Sequence, residues 1–319
     1  MVLGGLGLFL YAVSNLSDTL RDILGDRTKV ILKKFTGNLF TSILTGLITT
    51  TILDSSSAVI ILSIVMINAK VLTFRQALGI VMGANIGTTF SSQLIAFDIG
   101  KFSPIPIFLG LILTILSKSE KISQTAKILL YFGILFFGLY TMERAVEPLR
   151  NDARFNGWMA TLESPWKGAL TGAVVTLIIQ SSSATVGMVI TLAKKGLLTL
   201  AASLAVMLGA ELGTCADTLL ATIKSNRQAL KTGLFHLIFN FISIIIGLIL
   251  FPLFVKFVLW FSGNASLERM VANGHMFFNI IGVIVFLPLI PTIEKLLNRW
   301  LPDKVQVVKG YPLVAQAST

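Results

Sequence analysis

The chain has 319 residues, 54% of them hydrophobic and only 13% charged, about half the ~25% usual in soluble domains. With a mean hydropathy of +0.84 and apolar runs recurring from residue 1 to residue 291, the composition excludes an ordinary soluble protein. It defines an all-α polytopic membrane protein, since a span needs roughly 20 largely apolar residues. The net charge of +11 calls for no acidic partner: Lys and Arg collect in cytoplasmic loops, and no basic stripe interleaved with aromatics points to nucleic acid.

The first apolar run, 2–17, lacks the basic start and small-residue cleavage site of a secretory signal and reads as a span that stays. The stretch 39–69 is apolar but interrupted at its midpoint by Asp54, Ser55, Ser56 and Ser57. Each half is about 14 residues, or ~21 Å of helix, too short for a ~30 Å hydrocarbon core. Two short helices meeting at a polar tip predict a re-entrant hairpin, which is tolerated at membrane depth only when buried in protein or facing water. A span over 74–96 follows and carries G-A-N-I-G-T-T at 83–89, whose two glycines predict a broken helix. Spans at 104–117 and 125–142 lead to a polar stretch, 146–163, that reads as a surface loop or interfacial helix. A second interrupted segment, 167–195, has Gln180, Ser181, Ser182 and Ser183 at its centre.

Spans at 199–222, 232–251 and 273–291 complete the chain. The one cysteine, Cys215, has no internal disulfide partner. His236 and His275, the two histidines, each open an H-x-x-F-N sequence ending at Asn240 and Asn279, and read as interhelical hydrogen-bonding residues. Lys256 and Trp260 read as interfacial anchors.

The chain is internally repeated. T-G-L-I-T-T-T-I-L-D-S-S-S-A-V at 45–59 aligns with T-G-A-V-V-T-L-I-I-Q-S-S-S-A-T at 171–185, identical at eight of fifteen positions. The same offset, 126 (180 minus 54), carries G-A-N-I-G-T-T at 83–89 onto G-A-E-L-G-T-C at 209–215. The first repeat is 1–118, with hairpin 39–69 and broken helix 74–96. The second is 119–251, with hairpin 167–195 and broken helix 199–222. A further transmembrane segment, 252–297, and a cytoplasmic tail, 298–319, follow.

With both hairpins re-entering, the loops divide the 26 Lys and Arg into 17 on one side and 9 on the other. The richer side is expected to be cytoplasmic, which places the N-terminus outside and the C-terminus inside a plasma (inner) membrane. Three crossings separate the hairpins, so the second enters from the opposite face and the repeats are inverted in topology. Inverted repeats with broken helices near the midplane point to a secondary transporter.

At each tip, D-S-S-S or Q-S-S-S stands just before an apolar helical run, where N-cap residues belong. A helix N-terminus offers free N–H groups and partial positive charge, and hydroxyls add further donors. The natural guest is an oxyanion. The Gly-Thr motif suits a hard monovalent cation, through the oxygens of Asn85, Thr88 and Thr89 and unwound carbonyls; close helix packing is the competing use of its glycines.

These motifs, the paired S-S-S tips at 55–57 and 181–183, G-A-N-I-G-T-T, and the two H-x-x-F-N sequences resemble the type II sodium-phosphate cotransporter family over residues 1–297. The resemblance implies uptake of inorganic phosphate driven by sodium, with no cofactor beyond Na+ as coupling ion and no enzymatic activity. Phosphate would be held by Ser55, Ser56, Ser57, Gln180, Ser181, Ser182 and Ser183. The cation set would be Asp54, Asn85, Thr88, Thr89, Thr185, Glu211 and Thr214. Phosphate, sodium and the lipid bilayer are the partners implied, with a homodimer left open. Bacterial relatives append a cytoplasmic regulatory domain resembling a phosphate-uptake regulator, for which the tail is expected to be too short.

Two positions depart from the family pattern: Asp54 stands where it has Gln, and Glu211 where it has Asn. Ionisable groups inside a bilayer are functional-site hypotheses by default, so these acids either add cation or proton coupling or serve, protonated, as near-isosteres. Two other readings are a transporter of another oxyanion or small carboxylate, and a membrane enzyme acting on phosphorylated lipid. The second lacks a base adjacent to its hydroxyls in sequence.

Overall fold

The computed structural model describes residues 1–97, 99–223 and 225–302. Most of the expected tail 298–319 therefore lies outside the described residues, as does Lys224. The described secondary structure is helical throughout. The first half holds α1 (Val2–Leu24), α2 (Arg27–Phe35), α3 (Leu39–Leu53), α4 (Ser56–Asn68), α5 (Phe74–Ile95), α6 (Pro104–Leu116) and α7 (Glu120–Val146). The second holds α8 (Ala153–Thr161), α9 (Pro165–Ile179), α10 (Ser182–Lys194), α11 (Leu200–Gly213), α12 (Cys215–Leu220), α13 (Arg227–Ile249), α14 (Phe251–Ser262), α15 (Leu267–Phe286) and α16 (Ile290–Trp300).

Local sequence sets many of these starts. Asn38 and Thr41 form a reciprocal capping box at the head of α3, Thr73 and Gln76 do the same at α5, and the Asn226 side chain accepts from the Ala229 N–H at α13. Each arrangement satisfies donors that the first turn leaves free.

Helix boundaries repeat at the sequence offset. α3 and α9 begin at 39 and 165 and end at 53 and 179, and α4 and α10 run 56–68 and 182–194; each pair differs by 126. Within each unit the long helix packs closely on the first half of the interrupted segment, α5 on α3 and α11 on α9. Glycine makes that approach possible: a Cβ on Gly83 would run into the Ile43 carbonyl oxygen, and one on Gly209 into that of Ala169. The opposite faces of α3 and α9 expose Leu44, Ile48 and Ile52, and Leu170, Val174 and Ile178. These are corresponding positions with i, i+4 spacing, an outward apolar stripe suited to a hydrocarbon solvent.

One expectation is corrected. The predicted break of 74–96 at G-A-N-I-G-T-T does not occur, because α5 is continuous through the motif. Its polar side chains bond back to the helix: Asn85 Nδ2 donates to the Val81 carbonyl at 3.0 Å, Thr88 Oγ1 to Ala84 at 3.0 Å and Thr89 Oγ1 to Ile86 at 2.7 Å. With the glycines turned to helix packing, nothing in the motif forces unwinding. In the second unit the helix is interrupted, between α11 and α12 at Thr214.

Among the described residues, four helical segments are long and apolar enough to cross a membrane, Glu120–Asn151, Leu200–Leu220, Arg227–Ile249 and Leu267–Trp300; α5 and the following stretch through α6 pass the same test only together and are bent by 72°, a broken span or a re-entrant loop. The helix expected over 2–17 is longer than expected: α1 runs on to Leu24, which places Asp18 and Arg21 on helix rather than in a loop. The stretch 146–163 forms a short 3-10 turn and α8, with Trp158 exposed.

Candidate functional site

The two interrupted segments share one local geometry. α3 ends at Asp54 and α9 at Gln180, both in left-handed backbone, with φ of 52° and 61°. The next residue is extended and caps the following helix: Ser55 Oγ accepts from the Ala58 N–H at 3.2 Å, and Ser181 Oγ from the Ala184 N–H at 3.1 Å. Left-handed backbone is tolerated by Asp but unfavourable for Gln, so the cost falls on Gln180, and both segments use it to turn the chain in two residues.

Both tips line the same cavity, of about 370 Å³. Its wall carries Asp54, Ser55, Ser56, Ser57, Gln180, Ser181, Ser182, Ser183 and Thr214, and so gathers all seven residues expected to hold the anion together with two expected on the cation side. Because α4 and α10 both start there, two sets of first-turn N–H groups and two partial positive charges converge on one space. That is an environment for an anion with several oxygens.

The remaining candidates lie off the cavity wall. Asn85, Thr88 and Thr89 are buried within α5. Thr185 Oγ1 is 2.8 Å from Thr176 Oγ1 and 3.2 Å from the Ser181 carbonyl, which fastens α9 to α10 behind the second tip. Glu211 Oε1 lies 2.7 Å from His275 Nε2, and His275 Nδ1 lies 2.7 Å from Ser92 Oγ. This buried chain ties α5, α15 and α11 together.

The other histidine repeats the device. His236 Nδ1 lies 2.8 Å from Thr218 Oγ1, and Thr218 is the counterpart of Ser92 at the 126-residue offset (218 minus 92). Asn240 Nδ2 lies 3.0 Å from His236 Nε2 and donates to the Glu211 carbonyl at 3.2 Å. Thus α15 holds α5 at Ser92 and α13 holds α12 at the equivalent Thr218, both from outside the repeated motifs in sequence.

Sequence reasoning missed the third wall of the cavity. α1 contributes Leu10, Val13, Ser14, Ser17, Asp18 and Arg21. Ser17 Oγ donates to the Leu53 carbonyl at 3.0 Å, docking α1 on the first tip, and Ser91 donates to the Asp54 carboxylate from α5. Arg21, the one cation on the wall, lies 3.4 Å from Asp18 and is about half exposed. A signal existed: Ser14, Ser17, Asp18 and Arg21 recur at helical spacing at the end of an apolar run, but ending the span at 17 put two of them in a loop. On another side of the second tip's segment, Glu143 of α7 holds Lys194 and Lys195 at 2.6 and 2.9 Å.

A multi-pass helical membrane protein whose polar helix starts surround one internal cavity has the form of a transporter. The chain belongs to the Na+/Pi-cotransporter family, whose profile matches residues 8–144 and 147–280. It is 26% identical over 301 residues to the Bacillus subtilis "Uncharacterized protein YqeW", covering 93% of this chain and 96% of that protein. It is 25% identical over 288 residues to the Escherichia coli "Putative inorganic phosphate export protein YjbB", covering 89% of this chain and 52% of that protein, so the chain spans about half of that relative's length. A shorter match, 25% over 150 residues, is to the mouse "Sodium-dependent phosphate transport protein 2A", covering 42% of this chain and 23% of that one. No solved structure matches the chain.

Proposed function

We propose that this protein carries inorganic phosphate across the plasma membrane by alternating access, coupled to sodium and directed inward, with phosphate held between the two Ser-rich tips. The observation that carries this reading is the convergence of the tips, with the starts of α4 and α10, on one cavity. Neutral hydroxyl and amide donors suit a cargo that must leave as well as bind, whereas a bidentate Arg clamp holds oxyanions more firmly. On this reading the interrupted segments are re-entrant hairpins entering from opposite faces, and the two units are inverted repeats.

The cation side follows from charge. An ionised Asp54 beside a phosphate repels it, so a sodium ion at Asp54, with Thr214 on the same wall, offsets that repulsion and couples the two loadings. Asn85, Thr88, Thr89, Thr185 and Glu211, bonded elsewhere, are assigned to holding the helices behind the tips. A second reading, outward flux, is favoured by the name of the Escherichia coli relative; both directions use the same site.

The test is labelled phosphate flux in proteoliposomes. Uptake driven by an inward sodium gradient should vanish when choline replaces sodium, and Ser182→Ala should abolish most of what sodium drives. Flux indifferent to both changes would remove the proposal, and efflux alone would select the second reading.

A further inference from the structure

A cavity larger than the one between the tips lies elsewhere among the described residues. It has a volume of about 1660 Å³ and lies where the turn from α4 to α5, the turn from α12 to α13, and α16 come together. Its wall has two kinds of surface. Ile67, Val71, Leu72, Phe74, Leu219, Leu220 and their neighbours make a broad apolar floor, and Val71, Leu220 and Ile223 are strongly exposed. Against that floor stand three cations, Lys70, Arg75 and Arg227, and one acid, Glu294.

Among the described residues, none of the three cations has an ion pair or a side-chain hydrogen bond. Elsewhere Arg21, Lys29, Arg144, Lys194 and Lys195 pair with acids, while other described cations, such as Lys33, Lys118 and Lys127, do not. This cavity is set apart by gathering three unpaired cations, Lys70, Arg75 and Arg227, on one wall beside exposed apolar surface. All three fall in the group of 17 Lys and Arg on the more basic side of the membrane. Lys70 adds a detail from the repeat. It takes left-handed backbone, φ 58°, at the position where the second unit has Gly196 with φ 68°. The turn is made without strain by glycine, and here a lysine is kept in its place.

Unpaired cations beside exposed apolar surface, at the end of membrane helices, match the chemistry of one ligand. We infer that this cavity is a binding site for an anionic phospholipid: the phosphodiester headgroup would lie among Lys70, Arg75 and Arg227, and the upper acyl chains on the apolar floor. Basic pockets between helices on the cytoplasmic side recognise lipid headgroups in this way. The floor decides against free phosphate, which is fully hydrated and leaves exposed Val71, Leu220 and Ile223 uncovered, and the volume far exceeds what one phosphate fills. The site is separate from the tips and needs no transport activity, so it stands or falls apart from the proposed cargo.

The test is lipid binding by the purified full chain in nanodiscs, read as lipids retained in native mass spectrometry. Phosphatidylglycerol should be retained over phosphatidylcholine in the wild type. The triple variant Lys70→Gln, Arg75→Gln, Arg227→Gln should lose affinity on the order of a hundredfold, about fivefold per cation. Lys118→Gln with Lys127→Gln, basic residues on the same side but away from this wall, should change nothing, and Glu294→Gln should strengthen retention. Equal retention by the triple variant and the wild type overturns the inference. Displacement of phosphatidylglycerol by millimolar inorganic phosphate would also overturn it and make the cavity a free-anion site. A misfolded triple variant is recognised by loss of a monodisperse elution profile, in which case the single substitutions and Glu294→Gln decide, in opposite directions.

Discussion

Glu211 of α11 and His275 of α15 are hydrogen bonded at 2.7 Å in a fully buried position, and Ser92 of α5 occupies the other ring nitrogen of the histidine. An acid at a position expected to bind a cation is thus held by an internal partner from the last long helix. Through His275, α15 links α5 and α11, the corresponding long helices of the two units, so the pair bears on how firmly the halves are held together.

Removing one side of this pair should cost more than replacing the acid by its amide. His275→Ala leaves a buried carboxyl group without its hydrogen-bond partner, a loss of about 1–3 kcal/mol, whereas Glu211→Gln keeps an acceptor and should cost under half as much. Thermal unfolding midpoints in detergent give the comparison. Equal losses would show that the pair does not act as a hydrogen-bonded unit.

Arg21 should control how phosphate arrives rather than how it is carried. A charge-assisted hydrogen bond contributes about 1.5–3 kcal/mol, so Arg21→Gln should raise the KM for phosphate about tenfold or more with the maximal rate nearly unchanged. Arg21→Lys should be intermediate, because lysine keeps the charge but not the planar fork. An unchanged KM in Arg21→Gln flux assays would place the guanidinium outside the substrate path.

Two glycines should respond in opposite ways to the same added methyl group. Gly83→Ala drives a Cβ into the Ile43 backbone and should cost about 1–3 kcal/mol or more through overpacking. Gly7, with nothing within 4 Å of its would-be Cβ, should gain up to about 1 kcal/mol from the better helix propensity of alanine. The readout is again the thermal midpoint, and a Gly83→Ala protein as stable as wild type would contradict the close packing of α3 on α5.

Thiol labelling can map the cavity without altering the tips. Cys215, the single cysteine of the sequence, is 1% exposed, so the native protein should stay unlabelled by maleimide and label only after denaturation. Against that background Ser14→Cys, on the cavity wall, should label readily and be protected by phosphate. Rapid labelling of native wild-type protein would place Cys215 on an accessible path.

Much of the site was legible in the sequence because its parts are short-range. The tips could be placed from the D-S-S-S and Q-S-S-S groups: a polar break in an apolar run too short to span, followed by hydroxyl residues, dictates a helix end and a helix start within a few residues. Duplication at a fixed offset fixed the correspondence of the units, down to the ends of α3, α4, α9 and α10.

The sequence could not decide where glycines and threonines spend their interactions. G-A-N-I-G-T-T is consistent with unwinding and with close packing alike, and only the approach of α3 to α5 selects the second, since the carbonyl that excludes a Cβ at Gly83 belongs to Ile43, forty residues away. The third wall of the cavity is a long-range matter too: α1 reaches the first tip through a bond from Ser17 to Leu53, and the helical spacing of Ser14, Ser17, Asp18 and Arg21 marks a polar face without saying what it meets. What the sequence alone determined was the membrane class, the repeat and the two polar tips, because hydrophobic periodicity, capping and duplication are encoded within a few turns of chain. That both tips share one cavity with Arg21, and that Glu211 is bound to His275, was decided only by tertiary packing, where partners far apart in sequence compete for the same buried polar atoms.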